Sequence, residues 1–284
     1  MRRSFMKIKV ATFIFILFIN VIFSQVSIEN LDAKSLGMGG TFVTLDSNGD
    51  TYFFSPATLA LKRFPQLSMT LNYPLKENPN LRLNYFYPST STFAFSVDLI
   101  YNPENNSYIF RNWKTALAFP LTSHIYVGAS FQYVEGERDT LKGNLGILLN
   151  LWGNIRAGVV GYGLSFRKYS EKEILVTLPQ GYAIGLSLKP FEKTSLFIDL
   201  LDVEKASREN SWNYLRFGLE QWIGDFIALR WGSIGDITNP LNYTLGLGLR
   251  LNILQIDLAT LVAPFIAPEE SQKQQYKLTG SIRF

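Results

Sequence analysis

Apolar residues alternate with small or polar residues along many short stretches of this chain. Residues 93–101 read FAFSVDLIY and residues 243–251 read YTLGLGLRL, so each stretch has one apolar face. A period of two is typical of a β-strand, whose successive side chains point to opposite faces of a sheet. Beyond the N-terminus, no long stretch repeats with the 3.6-residue period of a helix. The sequence therefore predicts an all-β fold.

Fourteen strands are predicted, and the connections between them alternate in length. Short connections read WGN, PFEK or GD, whereas long ones read KYSEKEILVTLP or VEKASRENSW. An even strand number with short turns on one side and long loops on the other is typical of an outer-membrane barrel. We predict a transmembrane antiparallel up-and-down β-barrel of about 14 strands. The predicted strands span residues 66–74, 81–87, 92–101, 108–119, 123–134, 143–151, 155–167, 180–189, 194–202, 213–223, 226–233, 242–252, 254–263 and 275–284.

Charged residues of the predicted strands lie on the face opposite the leucines. A barrel would turn the apolar face to lipid and the charges to its lumen, where we expect them to pair across neighbouring strands. A soluble β-sandwich would instead turn the charges to water, but the strand number, the 14% aromatic content and the C-terminus favour the barrel. The predicted lumen-facing charges are Asp98, Asp199, Arg216, Glu220, Arg230, Arg250, Asp257, Lys277 and Arg283.

The N-terminus has the layout of a secretory signal peptide. Four basic residues precede a largely apolar stretch of 14 residues, Val10 to Phe23, and we predict cleavage after Ser24. An N-terminal membrane anchor is the alternative, but a spanning helix needs about 20 apolar residues. Removal of residues 1–24 takes away four of the 27 basic residues and none of the 23 acidic ones. The remaining chain has no net charge, which gives no support for nucleic-acid binding.

The last residue, Phe284, is predicted to act in assembly. It ends the stretch YKLTGSIRF and shares a face with Tyr276, Leu278 and Ile282. A terminal aromatic on the lipid-facing side resembles the signal by which outer-membrane proteins engage the barrel assembly machinery. We therefore expect outer-membrane lipid and that machinery to be partners of a monomeric barrel.

Residues 33–60 read AKSLGMGGTFVTLDSNGDTYFFSPATLA and resemble the N-terminal segment of PorV-like and FadL-like outer-membrane proteins. Two positions depart from the family pattern, with Ser55 in place of Asn and Thr58 in place of Gly. The resemblance implies a 14-stranded barrel over residues 66–284, with residues 25–65 folded into the lumen as a hatch. The implied hatch residues are Gly37, Gly39, Gly40, Asp46, Asp50, Tyr52, Phe53, Phe54, Ser55 and Pro56.

Two binding roles for this stretch are less well supported by its residues. A phosphate loop needs a strand before its glycines, and none precedes Gly37. Asp46, Asn48 and Asp50 have the spacing of a calcium loop, but the twelfth position is Ala57 instead of Glu. A mechanical role is preferred, in which glycines allow tight turns and Pro56 opens a short helix.

Two functions remain open, and neither is enzymatic. The single histidine, His124, has no acid or serine placed to work with it, and no cofactor is expected. A PorV-like barrel would have a structural, interaction or secretion-associated role with a secreted or surface protein as partner. A FadL-like barrel would transport fatty-acid-like hydrophobic small molecules. The inward residues are mostly small, polar or charged, which favours the interaction role, but five candidates for inward apolar residues keep transport open: Phe110, Val160, Tyr162, Leu164 and Phe166.

Overall fold

The computed structural model describes residues 31–74, 80–88, 92–102, 107–134, 140–168, 174–177, 181–203, 215–235, 242–262 and 275–284. The predicted signal peptide, residues 1–24, lies outside these ranges. An α-helix, α1 (Ala33–Gly37), and two 3₁₀ helices, Asp50–Phe53 and Pro56–Leu61, precede the first strand. None of the helices among the described residues is long and apolar enough to span a bilayer.

Fifteen strands are present among the described residues. Each of the fourteen predicted strands corresponds to one of them, with differences of a few residues at the ends. The strands are β1 Gln66–Pro74, β2 Asn80–Tyr87, β3 Thr92–Asn102, β4 Ser107–Pro120, β5 Ile125–Val134, β6 Thr140–Trp152, β7 Ile155–Lys168, β8 Ile174–Thr177, β9 Gly181–Phe191, β10 Thr194–Leu200, β11 Leu215–Ile223, β12 Ile227–Gly235, β13 Asn242–Leu251, β14 Leu254–Val262 and β15 Gln275–Arg283.

Fourteen of these strands close into one ring, as predicted. Successive strands pair antiparallel, β7 pairs with both β6 and β9, and β1 pairs with β15. The extra strand, β8, pairs with the end of β7 and is no part of the ring. The sequence places its residues in the long connection KYSEKEILVTLP. The run ILVT is largely apolar and rich in β-branched side chains, which suit a strand. Closure leaves no unpaired sheet edge in the ring.

The outside of the ring is apolar, and its inside is largely polar. On β13, the side chains of Leu245 and Leu247 are about half exposed, at 50% and 46%, whereas Thr244 is fully buried. The same alternation of exposed and buried residues runs along β9 and β12. A soluble sandwich would bury its leucines between two sheets, whereas this single closed sheet turns them outward, as a membrane barrel does.

Residues 31–65, here called the N-terminal segment, cross the interior of the ring. Helix α1 packs against β12–β15, and the second 3₁₀ helix packs against β3–β6. Asp32 caps α1 by accepting a hydrogen bond from the Ser35 N–H at 3.0 Å. Pro56 occupies the start of the second 3₁₀ helix, as the sequence predicts. The segment therefore bridges two distant arcs of the barrel wall.

Candidate functional site

The N-terminal segment meets the wall at van der Waals distance through facing glycines. Gly39 has φ +69°, and a Cβ atom on it would lie 2.3 Å from the Phe217 carbonyl oxygen. A Cβ on Gly232 of β12 would lie 2.0 Å from the Gly39 nitrogen. Gly37 lies against Gly246 of β13, where a Cβ would be 2.9 Å from the Gly246 Cα. These contacts leave no room for side chains between segment and wall.

Charged residues of the wall bind the backbone of residues 31–43. Asp199 accepts hydrogen bonds from the Phe42 and Val43 N–H groups at 2.6 and 2.9 Å. Arg216 donates to the Gly40 carbonyl oxygen at 2.7 Å, and Lys277 donates to the Leu31 carbonyl oxygen at 2.6 Å. All three charged side chains are almost fully buried. They therefore hold the first part of the segment in one position.

Hydroxyl groups of β13 and β15 complete this attachment. The Gly39 N–H donates to Thr244 Oγ1 at 2.8 Å, and the Ala33 N–H donates to Thr279 Oγ1 at 3.1 Å. Alternation along β13 assigns Thr244 to the inner face, but neither Thr244 nor Thr279 is predicted from the sequence as a contact of the segment. The sequence pattern can place a threonine on the inward face, but it does not show whether that threonine binds the segment or only lines the lumen.

A buried ion cluster lies beside α1. Arg230 binds Glu220 Oε2 and Asp257 Oδ1, each at 2.8 Å, and Lys34 lies 3.6 Å from Glu220. Glu220 and Arg230 lie on neighbouring strands, as the sequence predicts, whereas Asp257 lies two strands from Arg230. Removing charges from water is costly, and this mutual pairing offsets the cost.

The remaining predicted lumen charges depart from the expected pairing with carboxylates. Arg250 stacks over the Trp222 ring, 4.1 Å from its centroid, and lies 3.4 Å from Gln255 Oε1. Arg283 donates to the same oxygen at 3.2 Å. Both arginines thus share a neutral amide acceptor, and the same Gln255 amide donates to Asp257. The backbone of Asp98 lies in β3, and its side chain lies outside the described part of the structure.

The acids and amides of the calcium-like stretch bind three different partners. Asp46 lies 3.2 Å from Lys62, and Asp50 lies 3.0 Å from Arg82 of β2. Asn48 donates to Asp257 Oδ2 at 3.1 Å. The Asp46 and Asn48 side-chain oxygens both face the Lys62 ammonium group, and the Asp50 carboxylate faces Arg82. Cationic side chains already bind these oxygens, which speaks against the calcium alternative. Among the described residues, no cluster of metal-ligand side chains is found.

Two apolar clusters lie between the segment and the wall, and both contain segment aromatics. The first contains Leu31, Phe42, Val43, Val160, Tyr162, Ala183 and Leu201, with Phe54 packed against it. The second contains Tyr52, Phe53, Leu59, Phe86, Ala94, Ala116 and Ala118.

The structure describes the side chains of three of the five residues that were candidates for inward apolar residues. Val160 and Tyr162 lie in the first cluster, and Leu164 is half-buried. The side chains of Phe110 and Phe166 lie outside the described part of the structure.

Polar contacts accompany the second cluster. Ser130 and Asn144 of the wall both donate to the Phe53 carbonyl oxygen at 2.6 Å. Ser55 donates to the Val43 carbonyl oxygen at 2.8 Å, which ties the two parts of the segment together.

The short-turn end of the barrel carries exposed aromatic residues and the C-terminus. The Phe284 N–H donates to the Pro65 carbonyl oxygen at 3.0 Å, so the chain end lies beside the start of β1. Phe284, Trp152 and Phe191 are each about 70% exposed, at 67%, 71% and 72%. Aromatic residues collect at membrane interfaces in this way.

No protein-family model matches the chain, and no curated protein matches it. Solved structures do match. The toluene transporter TbuX of Ralstonia pickettii aligns with a TM-score of 0.65 and 13% identity, over 92% of this chain and 100% of that one. The Pseudomonas putida toluene transporter TodX aligns at 0.59 and 12%, over 92% and 99%. A Pseudomonas aeruginosa FadL homologue aligns at 0.57 and 12%, over 89% and 98%.

The closed ring and its apolar exterior define a transmembrane β-barrel of fourteen strands. These structural matches further show that the fold is the one found in the two toluene transporters and in the FadL homologue. The FadL-like half of the sequence resemblance is supported, whereas the PorV-like half receives no support from these comparisons.

Proposed function

We propose that the chain is an outer-membrane transporter of hydrophobic small molecules, with the N-terminal segment as the hatch that closes its lumen. The observation that carries this proposal is an apolar contact between hatch and wall. In the first apolar cluster, Val43 of the segment packs with Val160 and Tyr162 of β7. The cluster continues to Leu201, which follows the end of β10 on the long-loop side. A hydrophobic molecule entering from that side would meet apolar side chains up to the hatch.

The polar lining of the lumen, which from the sequence favours an interaction role, is compatible with transport. Asp199, Arg216 and Lys277 bind the backbone of the segment, and Arg230 binds two carboxylates. These side chains are occupied in holding the hatch and one another. Their polarity therefore describes how the hatch is attached, and it does not describe the surface that a ligand would contact. The fold shared with hydrocarbon transporters also favours transport over the secretion-associated role.

The proposal includes a location and partners. Residues 1–24 would direct export, and the apolar exterior would lie in the outer membrane. Phe284 would engage the barrel assembly machinery. The barrel would act as a monomer and carry out no catalysis. Recovery of the mature chain as a soluble periplasmic protein would contradict this location.

Uptake by proteoliposomes tests the transport proposal. The full chain should carry a neutral aromatic hydrocarbon or a fatty acid into vesicles faster than empty vesicles admit it. Val160→Asn should slow this uptake severalfold, because it places an amide in the apolar cluster, whereas Val160→Ile should retain it. Val159→Ile, on the lipid-facing side of the same strand, serves as the matched control. Uptake no faster than that of empty vesicles would favour the interaction role.

A further inference from the structure

A second kind of site lies at the short-turn end, between the N-terminal segment and the wall. A cavity of about 420 Å³ opens there. Its lining combines segment residues with residues from the ends of β6, β7 and β15. The charged lining residues are Asp46, Lys62, Arg63, Arg156 and Arg283.

The cavity has a strong excess of positive charge. Four of its lining residues are basic, and Asp46 is the only acidic one. The Asp46 carboxylate is already bound by Lys62 at 3.2 Å and accepts a hydrogen bond from the Tyr52 hydroxyl at 2.7 Å. The charge of Asp46 is therefore matched by Lys62, and the three arginines are left without a matching carboxylate in the lining.

The polar groups around the cavity have unused bonding capacity. Among the described residues, the side chains of Arg63 and Arg156 have no hydrogen bond or ion pair, and that of Arg283 binds only the Gln255 amide oxygen. A guanidinium group presents a planar fork of donors that fits the two oxygens of a carboxylate or phosphate.

The pKa of Lys62 is affected by the same excess of positive charge. Burial lowers the pKa of its ammonium group, the Asp46 carboxylate opposes this, and the charges of Lys34 and Arg283 lower it further. The charges of Lys34 and Arg283 thus repel the charged form of Lys62 at this end of the lumen. An added anion would relieve that repulsion.

We propose that this cavity binds an oxyanion group, either a carboxylate or a phosphate. The group would come from a free small anion or from the headgroup of an acidic lipid in the adjacent leaflet. Lys62 and Arg63 belong to the segment, whereas Arg156 and Arg283 belong to the wall, so a bound oxyanion bridges the two. Binding therefore stabilises the closed position of the segment by mass action. This inference is independent of whether hydrophobic molecules pass through the barrel.

Calorimetry on the full chain in an uncharged detergent tests the free-anion source. Inorganic phosphate and acetate, titrated at constant ionic strength, are expected to bind saturably and to raise the unfolding temperature. Arg156→Gln and Arg63→Gln should each weaken binding about tenfold, because each removes a charge-assisted hydrogen-bond donor. Arg63 is exposed, so its replacement is not expected to disturb folding. Lys189→Gln removes a basic residue from the same end of the barrel but outside this cavity, and it should leave binding unchanged.

Nanodiscs test the lipid source. If an acidic headgroup is the ligand, the unfolding temperature should be higher in phosphatidylglycerol than in phosphatidylcholine, and Arg63→Gln should remove the difference. Binding of either source supports the site and identifies its ligand. The inference is overturned if neither small anions nor the acidic lipid has an effect. It is also overturned if Lys189→Gln weakens binding as much as Arg156→Gln, since the effect would then be a general attraction of charges.

Discussion

The two parts of the N-terminal segment are attached to the same ring by different forces. Residues 31–43 are bound through their backbone by buried charges and hydroxyls of β10–β15. Residues 50–61 pack mainly through Tyr52, Phe53 and Leu59 against Phe86 and alanines of β3 and β4. The difference is one of proportion, because Asp50 also pairs with Arg82 of β2, and Phe42 and Val43 also pack in the first apolar cluster.

This difference suggests which part of the segment gives way first. Hydrogen bonds to buried charges are directional and costly to leave unmade, so they fix one arrangement. Apolar contacts are non-directional, and an apolar ligand can replace them. We therefore expect residues 50–61 to yield to a hydrophobic molecule while residues 31–43 stay attached.

Deletion of residues 28–62 removes both attachments and should have the largest effect. The truncated chain keeps every strand of the ring, which begins at Gln66, and it keeps Phe284. It should still insert and should conduct ions in planar bilayers, whereas the intact protein should conduct little. Large, steady conductance from the intact protein would contradict the hatch role. Failure of the truncated chain to insert would instead make the segment a scaffold for folding.

Replacement of Arg230 tests the buried ion cluster beside α1, which reaches the segment through the contacts of Glu220 with Lys34 and of Asp257 with Asn48. Arg230→Met leaves the buried Glu220 and Asp257 without their shared cation and should lower the free energy of unfolding by about 3–5 kcal/mol. Chemical denaturation of the detergent-solubilised barrel measures this loss. The control is Lys193→Met, which removes the largely exposed pair with Asp225 and should cost less than about 1 kcal/mol. Similar losses in the two variants would mean that the ion cluster contributes little to stability.

Truncation of Leu59 tests the apolar attachment. Leu59 is fully buried in the second apolar cluster, and Leu59→Ala should cost about 3 kcal/mol through lost contacts and the cavity left behind. A small apolar molecule such as toluene should restore part of this stability in Leu59→Ala, because it can fill the cavity. It should restore none in Arg230→Met. Equal restoration in both variants would remove the distinction between the two attachments.

A single methyl group at the closest contact should have the smallest effect. Gly232→Ala places a Cβ against the Gly39 backbone and should cost about 2 kcal/mol by overpacking, with a small rise in conductance as the segment is displaced. Gly280→Ala is the matched control, because a Cβ there meets nothing within 4 Å. Its effect on unfolding should stay within about 0.5 kcal/mol. An equal response of both glycines would show that the segment is not held close to β12.

The sequence by itself determined the strands and the facing of their side chains. Each of these depends on a local property, because the period of two can be read within one strand and the turns follow it directly. The apolar outer face of β13 and the start of the second 3₁₀ helix at Pro56 were both predictable in this way. The short strand β8 was missed because four residues carry too little periodicity to separate a strand from a loop.

Only the tertiary structure decided what each inward side chain contacts. Alternation assigns Asp199 to the inside, but whether it binds an arginine or the backbone at Phe42 depends on the path of a segment some 157 residues away in sequence. Arg230 reaches Asp257 across an intervening strand, which the order of strands in the sequence does not reveal. Partners across a lumen are set by the stagger of the strands and by the chain that fills the interior. Neither of these is written in the pattern of a single strand.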